Sequence, residues 1–212
     1  MRTLVLAAHP DDEVLGAGAT IAKFASLGHF VKVVSFTDGA GARDVPTPGR
    51  QESLATAGRV LGVQQVEWCN FPDNMMDTVP LLSIIKVIEK NISEFRPTHI
   101  LTHTGKCLNV DHKRVFEATL VATRGSHAKV MSYEVLSSTE WNHGSPFNPN
   151  TYIDVTGFEG KKIDAMRAAY ADELRGDFHP RSLDIMLQQM RVNGSVCCVA
   201  YAERFETVKE VL

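Results

Sequence analysis

The chain has 212 residues, of which 44% are hydrophobic and 22% are charged, the composition of a globular protein that can bury a core without disulfide bonds. Its formal net charge of −3 excludes a general nucleic-acid binder, because such proteins carry a basic excess or a basic stripe. A membrane span is excluded as well, since no apolar run approaches the roughly 18 residues that a span requires.

The N-terminus and the cysteines indicate the compartment. The first apolar run ends at His9, too early for the longer apolar stretch and small-residue cleavage site of a signal peptide. The cysteines show no CxxC spacing, and the adjacent Cys197 and Cys198 would rarely bond to each other because a disulfide needs Cα atoms farther apart. We therefore expect free thiols and a cytoplasmic protein.

Short apolar runs alternate with amphipathic stretches along the first two thirds of the chain. The predicted strands are residues 3–8, 30–36, 66–71, 99–102 and 129–135. The predicted helices between them are residues 13–26, 50–61, 81–95 and 111–123. This alternation predicts an α/β fold of the Rossmann-like type, with a mostly parallel sheet and helices on both of its faces.

The alternation stops after residue 137. Residues 137–151 are rich in Ser, Asn, Gly and Pro and are predicted to form a loop. Two helices are predicted near residues 159–171 and 182–192, and one more strand within residues 196–206. Since neither a repeat nor a convincing linker divides the chain, we expect one domain over residues 1–212.

The strongest functional motif is HPDDE at residues 9–13, where the first strand passes into the first helix. Ligands of open parallel sheets bind at this carboxyl end of a strand. Acidic residues in a first helical turn also complement the helix dipole, which is the alternative explanation of the motif. Helix capping does not call for an imidazole at the strand end, however, so His9 favours a metal site.

The second motif is NVDH at residues 109–112, after the fourth strand. Strands one and four are neighbours at the switch point of the common doubly wound order, so the two motifs should meet in one crevice. Together they supply two histidines and a carboxylate, and three protein ligands with an open fourth position are typical of catalytic zinc. Asp11 would then be free to act as a general base. Without the first motif, Asp111 is explained as a helix N-cap, with His112 in the first turn.

The sequence resembles the PIG-L, or LmbE-like, family of zinc-dependent N-acetylglucosaminyl deacetylases. An alanine followed by HPDDE stands at residues 8–13, and a run like the LNxDH of bacterial members stands at residues 108–112. The resemblance continues through FPDN at residues 71–74 and Asp77, and it reaches HPRS at residues 179–182. It thus covers nearly the whole chain, with HPDDE and the later Asp-His as its specific motifs.

The resemblance implies roles for particular residues. His9, Asp12 and His112 match the zinc ligands of the family, and Asp11 matches its general base. Arg50 lies where family members carry an arginine that helps to hold the substrate.

The chain departs from the family pattern at position 109. Many members have a histidine there that is thought to polarise the substrate carbonyl, whereas this chain has Asn109. An amide can donate a hydrogen bond to an oxyanion, but it cannot supply a proton. His179 is a second candidate for this role, in its own site or in that of a neighbouring subunit, and a surface turn before Pro180 is the alternative. We expect Asp111 to orient a neighbouring imidazole.

The sequence is less informative about the substrate. Asp73 leads a polar loop after the third strand that would bind sugar hydroxyls or simply form a turn. Trp141 would stack on a sugar face or pack in the core. Three basic residues near strand ends would bind a phosphate or sugar hydroxyls, or would be solvated surface charges: Arg43, Arg50 and Lys106.

We therefore expect a zinc-dependent hydrolase that removes the N-acetyl group from a small amino sugar or sugar conjugate. The resemblance also implies a homo-oligomer. The alternatives are an amidase for a thiol conjugate or an antibiotic precursor, and a non-haem iron oxygenase with two histidines and a carboxylate. A nucleotide-binding module is disfavoured, because Gly16 and Gly18 are followed by Ile21 where the dinucleotide fingerprint requires glycine.

Overall fold

The computed structural model describes residues 1–41 and 50–211, so that Arg43 lies outside the described residues. The strands are β1 (Arg2–Ala7), β2 (Phe30–Thr37), β3 (Gln65–Phe71), β4 (His99–His103), β5 (Lys129–Tyr133), β6 (Thr151–Asp154) and β7 (Ala202–Lys209). The α-helices are α1 (Asp12–Ser26), α2 (Arg50–Leu61), α3 (Leu81–Phe95), α4 (Val110–Ala122), α5 (Glu159–Ala169) and α6 (Leu183–Val196). Short 3-10 turns span Met76–Thr78 and Ala171–Glu173.

The strands form one sheet in the order β3-β2-β1-β4-β5-β7-β6. Strands β1 to β5 are parallel to one another, whereas β7 runs antiparallel to both β5 and β6. β1 lies between β2 and β4, which makes the carboxyl ends of β1 and β4 the switch point at which ligands bind in such sheets. The predicted α/β fold with a mostly parallel sheet is confirmed.

Apolar cores lie on both faces of the sheet. In β1, Val5 belongs to the core beneath α1, α2 and α5, whereas Leu4 and Leu6 belong to the core beneath α3 and α4. Successive side chains of a strand point to opposite faces, so an uninterrupted apolar run such as that of β1 marks a strand covered on both sides. In the described part of the chain, no helix combines the length and the apolarity needed to cross a bilayer.

The C-terminal third differs from the sequence prediction. β6 was not predicted, because it is a four-residue strand at the edge of the sheet with no alternation of buried and exposed residues. Helix α6 continues to Val196, past the predicted end at residue 192, and β7 runs over Ala202–Lys209 instead of lying within residues 196–206. Gly194 sits inside α6 because the backbone of Val199 and Ala200 packs against it, where a Cβ would come within 2.6 Å of an oxygen.

Helix α1 is broken at Ala17, whose φ of −143° is not helical. Glu203 of β7 accepts hydrogen bonds from two backbone N–H groups after the break, those of Ala19 (3.2 Å) and Thr20 (2.7 Å). Lys162 donates to Glu203 (2.7 Å) and to a backbone carbonyl in front of the break (2.8 Å). A buried ion pair thus replaces the helical hydrogen bonds that the break removes.

Candidate active site

A polar cavity of about 320 Å³ opens at the carboxyl ends of β1 and β4. Six of the nine residues predicted from the sequence line it: His9, Asp11, Arg50, Asp73, Asn109 and His112. Asp12 and Asp111 are buried next to these residues, with 1% and 0% exposure. The two motifs therefore meet in one crevice, as the pairing of β1 with β4 requires.

Three buried side chains converge on one point beside the cavity. Nδ1 of His9 lies 3.1 Å from Oδ2 of Asp12, and Nε2 of His112 lies 3.3 Å from the same oxygen. The two imidazole nitrogens are 3.2 Å apart. Ligands of a tetrahedral zinc ion with bonds of about 2.0–2.1 Å are separated by about 3.3–3.4 Å. His9, Asp12 and His112 thus fit a small divalent ion with an open position.

The turn between β1 and α1 brings His9 and Asp12 together. Asp11 in this turn has a φ of 124°, and the backbone N–H of His9 donates to Oδ2 of Asp12 at 2.8 Å. Glu13 completes the turn, because its carboxylate accepts from the backbone N–H of Asp11 at 3.1 Å and from Tyr170 at 2.7 Å. Burial raises the pKa of Glu13 to about 8.

The second nitrogen of each histidine also has a partner. Nε2 of His9 lies 3.1 Å from Oδ2 of Asp111 and 3.2 Å from Oδ1 of Asp73, and Nδ1 of His112 lies 3.1 Å from Sγ of Cys107. With the proton on the outer nitrogen of each ring, the inner nitrogen keeps a lone pair for an ion. Hydrogen bonds of this kind fix both the tautomer and the orientation of metal-binding imidazoles.

Asn109, and not Asp111, is the N-cap of α4. Its Oδ1 accepts from the backbone N–H groups of Asp111 (2.8 Å) and His112 (3.3 Å). The carboxylate of Asp111 instead accepts from the backbone N–H groups of Asn74 (2.7 Å) and Met76 (2.9 Å). Asp111 thereby joins the loop after β3 to His9, and the alternative explanation of Asp111 as a cap is wrong.

The electrostatics of the cluster favour a bound cation. Burial alone would raise the pKa of Asp12, but the imidazoles of His112, His103 and His9 hold it well below its usual value. Burial alone would lower the pKa of His112, but the carboxylate of Asp12 outweighs burial and raises the pKa to about 9. The site is thus a buried anionic oxygen among imidazole nitrogens, which is a set of donors that suits a divalent ion.

Asp11 borders the cavity next to these three residues. Its Oδ2 lies 3.2 Å from Nη1 of Arg181 and 3.7 Å from Nη2 of Arg50. Burial raises the pKa of Asp11, and the guanidinium of Arg181 is the strongest opposing influence. A second carboxylate beside the ligand set, in contact with cations, is thus available for proton transfer.

The residues predicted to bind substrate have structural partners too. Nη2 of Arg50 donates to the carbonyl of Pro10 at 2.6 Å, and Nη1 donates to Glu173. Oδ1 of Asp73 accepts from Nδ2 of Asn74 at 3.2 Å. Lys106 pairs with Glu206 at 3.0 Å and does not line the cavity.

His179 is not among the residues that line the cavity. Its Nδ1 accepts from the backbone N–H of Arg181 at 3.0 Å, and its ring meets the half-exposed Trp141 edge to face, with centroids 5.6 Å apart. The structure thus places His179 in contact with the backbone of Arg181. Its predicted catalytic role stays a prediction.

Sequence reasoning assigned no role to His103, Arg181 or Glu173. The ring of His103 stacks on His112 at 3.9 Å, and its Nε2 accepts from the backbone N–H of Ala8 at 2.9 Å. The position of His103 at the carboxyl end of β4 could have identified it as a residue of the site. Glu173 and Arg181 lie in a 3-10 turn and a loop without periodicity, where only the HPRS match drew attention to Arg181.

The chain is similar in sequence to a known family and to named relatives. Residues 4–123 match the family model described as PIG-L, GlcNAc-PI de-N-acetylase. An Escherichia coli K12 protein named as the uncharacterized deacetylase YaiS is 30% identical over 64% of this chain and 74% of its own length. The mycothiol S-conjugate amidase of Streptomyces coelicolor is 28% identical over 81% of this chain and 66% of its own length.

Solved structures share the fold at low sequence identity. The N,N'-diacetylchitobiose deacetylase of Pyrococcus horikoshii superposes with a TM-score of 0.78 at 20% identity, over 97% of this chain and 82% of that one. The 4-carboxy-2-hydroxymuconate hydratase of Pseudomonas putida KT2440 superposes with a TM-score of 0.74 at 22% identity, over 100% and 98%. The same fold thus carries different reactions, and the site decides between them.

Proposed function

Because this chain belongs to the PIG-L family of amide-hydrolysing enzymes, described as GlcNAc-PI de-N-acetylases, we propose that it removes the acetyl group from an N-acetylated amino sugar or sugar conjugate with the help of zinc. The products are acetate and the free amine. The observation that carries this proposal is the triangle of His9, Asp12 and His112, with sides of 3.1, 3.2 and 3.3 Å, and the carboxylate of Asp11 beside it.

The three ligand residues can hold zinc. Two imidazoles and one carboxylate suit zinc, and the spacing of the three atoms suits its tetrahedral geometry. Zinc bound there would supply Lewis acidity, polarising the amide carbonyl and making a water more acidic. Asp111 would hold His9 in the orientation that this role needs, and Cys107 would hold His112.

Asp11 is the proposed general base. It lines the cavity and is not one of the three converging ligands, so its carboxylate is available to take a proton from the attacking water. The same carboxyl group would then hand the proton to the nitrogen of the leaving amine. Its raised pKa suits the first step, because a more basic carboxylate accepts a proton more readily.

Asn109 is the proposed donor to the oxyanion. Its Oδ1 is committed to the cap of α4, and one N–H of its amide donates to Asn74 at 3.0 Å. The amide has a second N–H, and the residue borders the cavity, so it can donate to the carbonyl oxygen without supplying a proton. His179 would act through Arg181, since it contacts the backbone of that residue.

Arg50 and Asp73 are the proposed substrate contacts, because both border the cavity and present polar groups to sugar hydroxyls. The description of the matching family, GlcNAc-PI de-N-acetylase, supports a sugar conjugate as the substrate. A different small amide, such as a thiol conjugate, is the second candidate, supported by the 28% identity with an amidase of that kind.

Acetate release from a panel of N-acetylated sugars and conjugates tests the proposal. The enzyme should be assayed as purified, after chelation and after zinc is added back. Release that chelation abolishes and zinc restores would support the reaction. A protein that binds zinc but releases no acetate would move the search to other amides, and a protein that binds no metal would contradict the proposed mechanism.

A further inference from the structure

Asp11 is held in an unfavourable backbone conformation. Its φ of 124° and ψ of −28° lie where residues with a Cβ are rarely found. Such a conformation costs roughly 1–3 kcal/mol and persists only where the surrounding structure over-determines it. Contacts with the rest of the protein must therefore hold Asp11 in this conformation.

Two arginines from distant parts of the chain donate hydrogen bonds to this turn. Arg50, the first residue of α2, donates to the carbonyl of Pro10, the group that directly precedes the Asp11 nitrogen. Arg181, just before α6, donates to the carboxylate of Asp11 at 3.2 Å. One arginine thus holds the backbone of the turn, and the other holds the side chain of the proposed base.

Glu173 joins the two arginines. Its Oε1 accepts from Nη1 of Arg50, and its Oε2 lies 3.2 Å from Nη1 of Arg181. The residue is 2% exposed and lies in the 3-10 turn Ala171–Glu173. Nε of Arg181 also donates to Oγ of Ser137 at 2.7 Å, which fixes the plane of the guanidinium. We name Arg50, Glu173 and Arg181 the Glu173 clamp.

The charges explain why the clamp needs a carboxylate at its centre. Nη2 of Arg50 is 3.7 Å from Oδ2 of Asp11, so both arginines lie within reach of the same oxygen. Glu173 gives each guanidinium a second anionic partner. Without it, Asp11 would face the charge of Arg181 and would share that of Arg50 with the half-exposed Asp172, 3.8 Å from Nη1, so the Asp11 carboxylate would be drawn toward these cations and away from the attacking water.

We propose that Glu173 and Arg181 are positioning residues, through which the Glu173 clamp holds the Asp11 carboxylate in the one orientation that can take the proton of the attacking water. This inference rests on the proposed function. Its physical basis is that a general base works only within hydrogen-bond reach of its proton. A displacement of about 1 Å from that geometry can cost about a hundredfold in rate.

The variants Glu173→Gln and Arg181→Lys test the clamp in the zinc-loaded enzyme. We expect kcat to fall about tenfold to a hundredfold with little change in KM and in zinc content. Arg181→Lys should keep more activity than Arg181→Ala, because lysine retains the charge but lacks the planar fork with which Arg181 reaches Ser137, Asp11 and Glu173. Glu134→Gln is the matched control, since Glu134 pairs with Arg204 at 2.6 and 2.7 Å away from the cavity, and it should leave kcat unchanged.

A double-mutant cycle with Asp11→Asn separates positioning from a merely structural role. In that background the carboxylate is gone, so Glu173→Gln and Arg181→Lys should cause no further loss of the residual rate. Equal losses in both backgrounds, or a raised KM at unchanged kcat, would overturn the inference in favour of direct substrate binding or a general structural role. If Glu173→Gln fails to fold, Arg181→Lys carries the same cycle.

The parent enzyme is measured first, so that the two failures can be told apart. If it hydrolyses no amide of the panel with zinc present, the proposed function fails and this inference fails with it. If it is active and the cycle is additive, this inference alone fails.

Discussion

Nδ1 of His9 and Nε2 of His112 lie 3.2 Å apart, although 103 residues separate them along the chain. Both nitrogens also face Oδ2 of Asp12. The proximity follows from the sheet order, since β1 and β4 are adjacent, HPDDE begins just beyond the carboxyl end of β1, and NVDH follows the loop after β4. Adjacent parallel strands thus bring two short local motifs together into one site.

The first prediction concerns Asp11→Asn. The amide keeps the shape of the side chain but cannot accept a proton, so kcat should fall by about a hundredfold to ten-thousandfold. Zinc content should match that of the parent, because Asp11 is not among the three converging ligands. Acetate release and metal analysis on the same preparation measure the two effects.

The control for Asp11→Asn is Asp164→Asn, an exposed position on α5 far along the chain from both motifs. It should behave as the parent does. Near-parent turnover by Asp11→Asn, or a loss of zinc together with activity, would refute the assignment of Asp11 as the base.

The second prediction concerns Asp111→Asn. Asp111 accepts from His9 and from two backbone N–H groups of the loop after β3, and an asparagine oxygen can serve only part of this set. Zinc affinity should fall by about tenfold to a hundredfold, as is typical when the partner of a metal-binding histidine is lost. Competition with a chelating dye measures the affinity.

Asp184→Asn is the matched control for this change, because Asp184 is the acidic residue in the first turn of α6, as Asp111 is in α4. If both variants bound zinc as tightly as the parent, Asp111 would be no more than an ordinary first-turn acid.

The sequence predicted the parts of the site that depend on local order. HPDDE follows β1 and NVDH follows β4 after a short loop, so their placement required only the strand pattern and the adjacency of the two strands. Arg181 reaches Asp11 across 170 residues through a loop whose course depends on packing, and no local pattern encodes that contact. β6 was not predicted for a similar reason. It is a strand because it pairs with β7, and its own residues carry no strand pattern.

The third prediction concerns the ion pair at the break in α1. Glu203→Gln removes the charge that Lys162 faces in a buried setting, where the two side chains are 3% and 5% exposed. Leaving one partner of a buried pair alone costs about 3–5 kcal/mol of the free energy of unfolding. Urea denaturation followed by circular dichroism measures this loss.

Glu206→Gln on the same strand is the control. Glu206 pairs with Lys106, but these side chains are 26% and 33% exposed, and partly exposed pairs contribute only about 0–1 kcal/mol. Equal stabilities of the two variants would mean that the Lys162–Glu203 pair does not support the broken helix.

The fourth prediction compares two glycine-to-alanine changes in helices. A Cβ at Gly16 would lie 2.1 Å from the Tyr133 ring, so Gly16→Ala must displace that ring and should cost about 1–3 kcal/mol of stability. At Gly160 in α5 a Cβ would meet no atom within 4 Å, and Gly160→Ala should stabilise the protein by about 0.4–1 kcal/mol. Opposite shifts in the midpoint of thermal unfolding are the expected result.

The Gly16→Ala change should also reach the metal ligands. The hydroxyl of Tyr133 donates to the carbonyl of Leu6 at 2.7 Å, and its ring lies 4.9 Å from that of His103, which stacks on His112. Displacement of Tyr133 should therefore weaken zinc binding, whereas Gly160→Ala should not. A destabilised Gly16→Ala variant with parent-like zinc affinity would show that the stacked rings do not transmit the displacement to His112.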